Sequence, residues 1–384
     1  MEDFEDIRAY TDDDVAGAIK ELAQEPTFLA LLKVAFPQNK AEDLLQMAKS
    51  IDDIQHLFVS RYLEGMLQVS SDGLSFSGLE NIKKDQAHFI ISNHRDIILD
   101  SALLNYILIK NGHKSTEIAI GDNLLIYPWI KTLVRLNKSF IVKRQLPIKQ
   151  MMVESAKLSR YIRHTLLEKG NSIWIAQREG RAKDSDDRTS GALLKMLNMG
   201  DDNSFSECLA TMNITPLAIA YEYDPCDYLK AREFLLKKLN PEHKKTAADD
   251  LLNMRTGIEG YKGRIHFHLA APLSEELVKL EALKNKNEQV NAATELIDKQ
   301  IHLNYKFFPC NFIAHEMLHP ESHFSAYYES EDKQRFEAYV EKQINRIPEK
   351  EGHEDFLRHT LLTMYANPLI NHIVAHNELK EHLK

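Results

Sequence analysis

ISNHRDIILDSALLN, residues 91–105, is the stretch that decides the fold. The apolar run AHFIIS (87–92) stops at Ser92. Polar Asn93 and His94 follow, and the apolar SALLNYILIK (101–110) comes next. Strand, polar turn, helix is the order in which a buried strand of an open α/β sheet hands over to its crossover helix, and reactive groups gather at that end of such strands. An imidazole there can take a proton, and a carboxylate bonded to its ring fixes the tautomer. Asp96 and Asp100 are the nearby carboxylates. The same residues also suit a plainer role, with Asp96 capping the helix and His94 lying in the turn before it.

Working outward, short apolar runs alternate with helical periodicity. After a turn-rich SSDGLSFSGLENI with a short strand at 74–77, the further strands are EIAIG (117–121), SFIVKR (139–144), SIWIAQ (172–177), ITPLAIAYEY (214–223) and GRIHFHLAAPL (263–273). MMVESAKLSRYIRHTLLEKG (151–170) reads as a long helix stopped by Gly170. This pattern predicts an α/β fold, a mixed sheet flanked by helices. Residues 1–72 show three- and four-residue apolar steps and predict a helical bundle. Residues 73–275 hold the α/β part, and 276–384 are a charged, helix-rich C-terminal region. LNPEHKKTAADD (239–250) reads as a mobile excursion.

The charge is uneven. The chain of 384 residues carries a net −9, yet residues 1–60 hold 5 Lys/Arg against 13 Asp/Glu, and residues 131–183 hold 13 against 3. One basic segment in an acidic protein points to a local anionic ligand rather than to nucleic acid. There is no apolar run of membrane-spanning length. The acidic start, MEDFEDIRAYTDDD, is unlike a secretory signal. Three scattered cysteines (Cys208, Cys226, Cys310) suit neither a disulfide framework nor a four-cysteine metal site. The expected location is cytoplasmic, with peripheral contact at the inner face of the cell membrane.

NHRDIILD (93–100) resembles the histidine–aspartate motif of the glycerolipid acyltransferase superfamily. Three further blocks resemble that family's in order: NKSFIVKR (137–144), IAQREGRAKDSDDRTS (175–190) and ITPLAI (214–219). The resemblance spans roughly 75–275. It implies transfer of a fatty acyl group from acyl-CoA or acyl carrier protein to lysophosphatidic acid or glycerol 3-phosphate, with no bound cofactor and no metal. It implies a catalytic His94 oriented by an aspartate, and substrate contacts from Asn93, Arg95, Phe140, Lys143, Arg144, Glu179, Gly180 and Arg181. Lys143, Arg144 and Arg181 would hold the acceptor phosphate, and Glu179 would place its glycerol. Backbone N–H groups at the helix start would stabilise the oxyanion.

The sequence departs from the family at two points. Arg178 stands where a proline often precedes the glutamate. Five residues, not four, separate His94 from Asp100, and Leu99 occupies the family position. On a regular helix a step of six turns side chains about 240° apart. Asp100 therefore needs a non-helical turn over 94–97, while Asp96 is reachable from an extended chain; both stay open as partners.

Other readings compete. The acceptor could lack phosphate, as a lyso-form of an amino-acid lipid does, or the chain could bind lipid without catalysis. Asp184, Asp186 and Asp187 read as an acidic loop. His315-Glu316-Met317-Leu318-His319 fits the zinc-peptidase HExxH pattern, but Pro320 disfavours helix at His319. LLIYPWIKTLVRL (124–136) reads equally as an interfacial or a core helix.

Overall fold

The computed structural model describes residues 4–144 and 146–382. Seven strands form one sheet: β1 (Leu74–Ser77), β2 (Phe89–Ser92), β3 (Glu117–Gly121), β4 (Ser139–Val142), β5 (Ile173–Ala176), β6 (Ile214–Tyr221) and β7 (Ile265–Leu269). Their order is β1-β7-β6-β2-β5-β3-β4, and every neighbouring pair is parallel except β6 with β7. The fold is α/β, a mixed sheet with helices on both faces.

β2 lies in the middle, apolar over Phe89–Ile91 and buried at every position. Alternate side chains of a strand point to opposite faces. Phe89 and Ile91 therefore join Phe140, Tyr161 and Ile173 on one face, while Ile90 joins Leu103, Leu104, Trp174 and Phe267 on the other. The chain leaves β2 toward β3 on one side, and later crosses from β5 to β6 on the other. That reversal puts the switch point, and the crevice that goes with it, at the C-terminal end of β2.

Helices between Asp12 and Ser70 pack around Val15, Leu22, Phe28 and Ile54, and the Pro128–Leu136 helix joins this cluster through Trp129, Leu133 and Leu136. The LLIYPWIKTLVRL segment is thus a packed helix, whose exposed large apolar residues, Ile126 and Tyr127, lie at its start. Residues 4–11 are not helical. They run beside β4, where Ile141 N–H donates to the Ile7 carbonyl at 2.8 Å and Ala9 N–H donates to the Tyr161 hydroxyl at 3.1 Å. The far end of the chain is helical, and the Pro309–Leu318, Ser330–Asn345 and Glu354–His382 helices share a core of Phe336, Leu357, Leu361 and Tyr365.

The 239–250 stretch differs from expectation. Thr246 caps a helix, Ala247–Glu259, through a reciprocal pair with Asp249. Thr-x-x-Asp is a capping signal that the sequence does contain. At the HExxH stretch the helix ends at Leu318. Both Glu316 oxygens are taken, by Phe324 N–H and the Tyr328 hydroxyl. Among the described residues no group of three or more His, Cys, Asp or Glu is placed to hold a metal. Nor is any described helix long and apolar enough to cross a membrane.

Candidate active site

β2 is held at its end by its neighbours. Trp174 Nε1 donates to Ser92 Oγ at 3.0 Å. Asn93 spends its whole amide on β6, with Nδ2 donating to the Ile219 carbonyl and Oδ1 accepting Ile219 N–H, at 2.9 and 2.8 Å. The strand end is therefore rigid, and His94 stands on it.

The next four residues form a turn, not a helix. Asp96 Oδ1 accepts the N–H groups of Ile98 and Leu99, both at 2.8 Å, and so starts the Leu99–Lys110 helix. The turn absorbs the extra residue. Asp100, in the first turn of the helix, brings Oδ2 to 2.8 Å from His94 Nδ1. The same oxygen accepts Arg95 N–H at 2.6 Å and Asp96 N–H at 3.1 Å, and Oδ1 accepts the Tyr221 hydroxyl at 3.3 Å. A carboxylate only accepts, so Nδ1 carries the ring proton and Nε2 keeps its lone pair. Nε2 makes no hydrogen bond among the described residues, and 14% of the His94 side chain is exposed. The ring also rests edge-on against Trp174, centroids 5.9 Å apart.

Asp96 is the cap, not the partner of His94. It is buried, and burial with the Asp100 charge beside it pushes its carboxyl above the usual range. Gly257 of the Ala247–Glu259 helix presses on it: a Cβ there would sit 1.9 Å from Asp96 Oδ2.

Three expected substrate contacts are placed otherwise. Phe140 is wholly buried against Tyr161, on a strand that is covered on both faces. Asn93 is fully buried, with both amide atoms bonded to Ile219. Arg95 is buried in a two-bond ion pair with Asp187, at 3.0 and 2.6 Å, and the Tyr305 hydroxyl donates to the same carboxylate. Asp187, which read as loop, is thus a buried anchor. Lys230 Nζ adds a bond to the Arg95 carbonyl at 3.2 Å. Behind this ion pair lies a cavity of about 30 Å³ lined by Arg95, Tyr221, Asp224 and Tyr305, room for a water or two.

The remaining cations are spread along the same edge of the sheet. Arg144 Nη1 donates to Glu179 Oε1 at 3.1 Å, so the second and third sequence blocks do meet. Gly121 permits this, since a Cβ there would lie 2.6 Å from Arg144 Nε. Lys143 is engaged by Asp6 at 2.5 Å and Glu154 at 3.0 Å. Burial opposes ionisation of Asp6, but Lys143 and Lys157 outweigh it and bring its pKa down to about 2. Gly180 takes a left-handed φ of 70°. Arg181 donates from Nη2 to Asn253 Oδ1 at 2.8 Å, while its Nη1 is buried without a hydrogen-bond acceptor among the described residues. An unpaired buried guanidinium nitrogen is costly unless something accepts from it.

Residues 73–212 match the family model described as Acyltransferase, a span that takes in His94, Asp100, Arg144, Glu179 and Arg181. The chain carries an acyltransferase domain. Six chains among the solved structures match it. One is the crystal structure of the 1-acyl-sn-glycerophosphate (LPA) acyltransferase PlsC from Thermotoga maritima, 12% identical over 77% of this chain and 98% of that one, at a TM-score of 0.38. Comparison with curated proteins gives no match.

Of these contacts, Tyr221, Tyr305 and Asn253 were not singled out from sequence, and Asp187 read only as part of an acidic loop. Each reaches the acyltransferase domain's candidate site from more than 70 residues away. Only the Thr246 cap signalled the helix that brings Asn253.

Proposed function

We propose that this acyltransferase-family enzyme moves a fatty acyl group from a thioester, acyl-CoA or acyl carrier protein, to the hydroxyl of lysophosphatidic acid or glycerol 3-phosphate. The observation that carries this is His94: Nδ1 is tied to Asp100 at 2.8 Å, and Nε2 has no hydrogen-bond partner among the described residues. His94 Nε2 takes the acceptor's hydroxyl proton, and the oxygen attacks the thioester carbonyl. The tetrahedral intermediate collapses by breaking the carbon–sulfur bond, and the imidazolium returns the proton to the departing thiolate. Asp100 stabilises the imidazolium between those steps. Arg181, with one unpaired nitrogen, and Arg144 receive the acceptor's phosphate. On this reading residues 1–72, 73–275 and 276–384 are three units, of which the middle one does the chemistry. The protein works from the cytoplasmic side, at a membrane, in phospholipid biosynthesis.

The ion pairs on Lys143 and Arg144 favour a second reading, an acceptor without phosphate, because those charges are already balanced. Turnover of lysophosphatidic acid, glycerol 3-phosphate and a phosphate-free lysolipid, with wild type and with His94→Ala, tests both. The first reading expects phosphate-bearing acceptors to dominate and His94→Ala to lose about 10²–10⁴ in rate. Undiminished transfer by His94→Ala removes the catalytic assignment. Arg181→Ala that spares phosphate acceptors removes the first reading in favour of the second.

A further inference from the structure

The helix Ile148–Arg163 begins just after β4, and its first two turns stand clear of the protein. All six residues from Ile148 to Val153 are exposed. Four are large and apolar: Ile148 at 79%, Met151 at 48%, Met152 at 61% and Val153 at 66%. No other six-residue stretch of the described chain shows as many large apolar side chains in the open. An isolated exposed leucine means little, but a contiguous apolar projection marks a contact surface.

Two further observations identify the contact. The first is position. Arg144 N–H donates to Asp122 Oδ1 at 3.1 Å, which joins the loop after β4 to the loop after β3, where Ile126 and Tyr127 are also exposed. Both loops leave the C-terminal edge of the parallel strands, the edge that carries His94. β4 is three strands from β2, roughly 14 Å at the usual strand spacing. The second is charge. Lys149 is exposed on the projection itself, and residues 143–153 contain no acidic residue, within a 131–183 segment of 13 basic and 3 acidic residues; Lys143 and Arg144 beside it are held in ion pairs with Asp6, Glu154 and Glu179. Apolar side chains with a tyrosine at their margin and an exposed lysine among them fit the boundary of an anionic bilayer.

We propose that the Ile148–Val153 projection, with Ile126 and Tyr127, is the face by which this protein docks on an anionic lipid surface. The proposal extends the reading above, in which the acceptor or product is a lipid. Docked this way, the C-terminal edge of the sheet faces the bilayer, and an acyl chain reaches His94 without the molecule leaving the membrane. The helix itself does not span; it lies against the headgroups.

The test uses the full chain and vesicles of phosphatidylcholine with or without phosphatidylglycerol, with binding read by flotation. Wild type should bind, more strongly with phosphatidylglycerol and less in high salt. The double variant Met152→Asp, Val153→Asp should lose at least about tenfold in partitioning. Both positions are exposed, so its circular dichroism and its turnover of water-soluble glycerol 3-phosphate should match wild type. Equal vesicle binding by wild type and variant, or no binding by wild type, overturns the proposal. So does capture of an acidic acyl carrier protein by these side chains in place of vesicles. Vesicle binding by a protein that transfers no acyl group would uphold the docking face and sink the enzymatic reading, so the two fail separately.

Discussion

Asp100→Asn tests the charge under His94 with little change of shape. Asp100 Oδ2 accepts from three donors, His94 Nδ1, Arg95 N–H and Asp96 N–H. An asparagine must keep its oxygen there and turn its NH₂ toward Tyr221, whose hydroxyl then accepts. The imidazole keeps its tautomer and its orientation. What is lost is the negative charge facing the imidazolium that forms as the acceptor gives up its proton. With charge centres about 4 Å apart and an effective dielectric near 20, that attraction is about 4 kcal/mol. Each 1.36 kcal/mol is tenfold in rate, so kcat should fall about 10³-fold while KM for the acyl donor barely moves. The assay is release of free thiol from acyl-CoA in the presence of lysophosphatidic acid, followed by absorbance with a thiol reagent. A folded Asp100→Asn protein with kcat within about threefold of wild type would refute the role given to the carboxylate.

Other expectations concern the frame around the site. Asp187→Asn leaves the Arg95 guanidinium buried without its counter-charge, and should cost about 3–5 kcal/mol in urea unfolding; an unchanged midpoint would mean that the ion pair contributes nothing. Gly257→Ala puts a methyl against Asp96 Oδ2, and should cost about 1–3 kcal/mol and lower kcat by shifting the turn after His94; neutral behaviour in both measurements would show that the helix does not bear on the turn. Burial, with the Asp224 charge nearby, raises Asp227 to about 7, against the donors Tyr339 and Tyr365. The folded state then holds a proton that the unfolded state releases near the ordinary value of 3.8. Its stabilising share is full below that pH and is lost as pH rises through about 7. Asp227→Asn should remove this fall, read as the difference in urea midpoint between pH 4 and pH 8; parallel curves for the two proteins would contradict it.

Sequence periodicity revealed the strands because apolar residues buried on both faces leave few alternatives. FIIS and the ITPLAIAY of β6 are buried almost throughout. The pairing of His94 was undecided because a step of six residues excludes a helix but does not specify the turn. That turn is made by Asp96, whose bonds to Ile98 and Leu99 are local yet were only one of two ways to use the residue. Phe140 misled because it shares a sequence block with Lys143 and Arg144, whereas it sits inside the buried strand and the two cations follow only after the strand has ended. Tyr221 and Tyr305 could not be read at all: their contacts follow from strand order and from where the C-terminal helices dock, which no local pattern encodes.

The bond from Ile141 N–H to the Ile7 carbonyl bears on how the protein is handled. β4 is the outermost strand on its side, and an uncovered strand margin recruits strands from other molecules. Arg135 clasps the covering segment through the carbonyls of Glu5 and Arg8, so that segment works as a seam along the rim. Trimming the first ten residues would open the seam and invite polymerisation, whereas a purification tag at the other terminus leaves it closed.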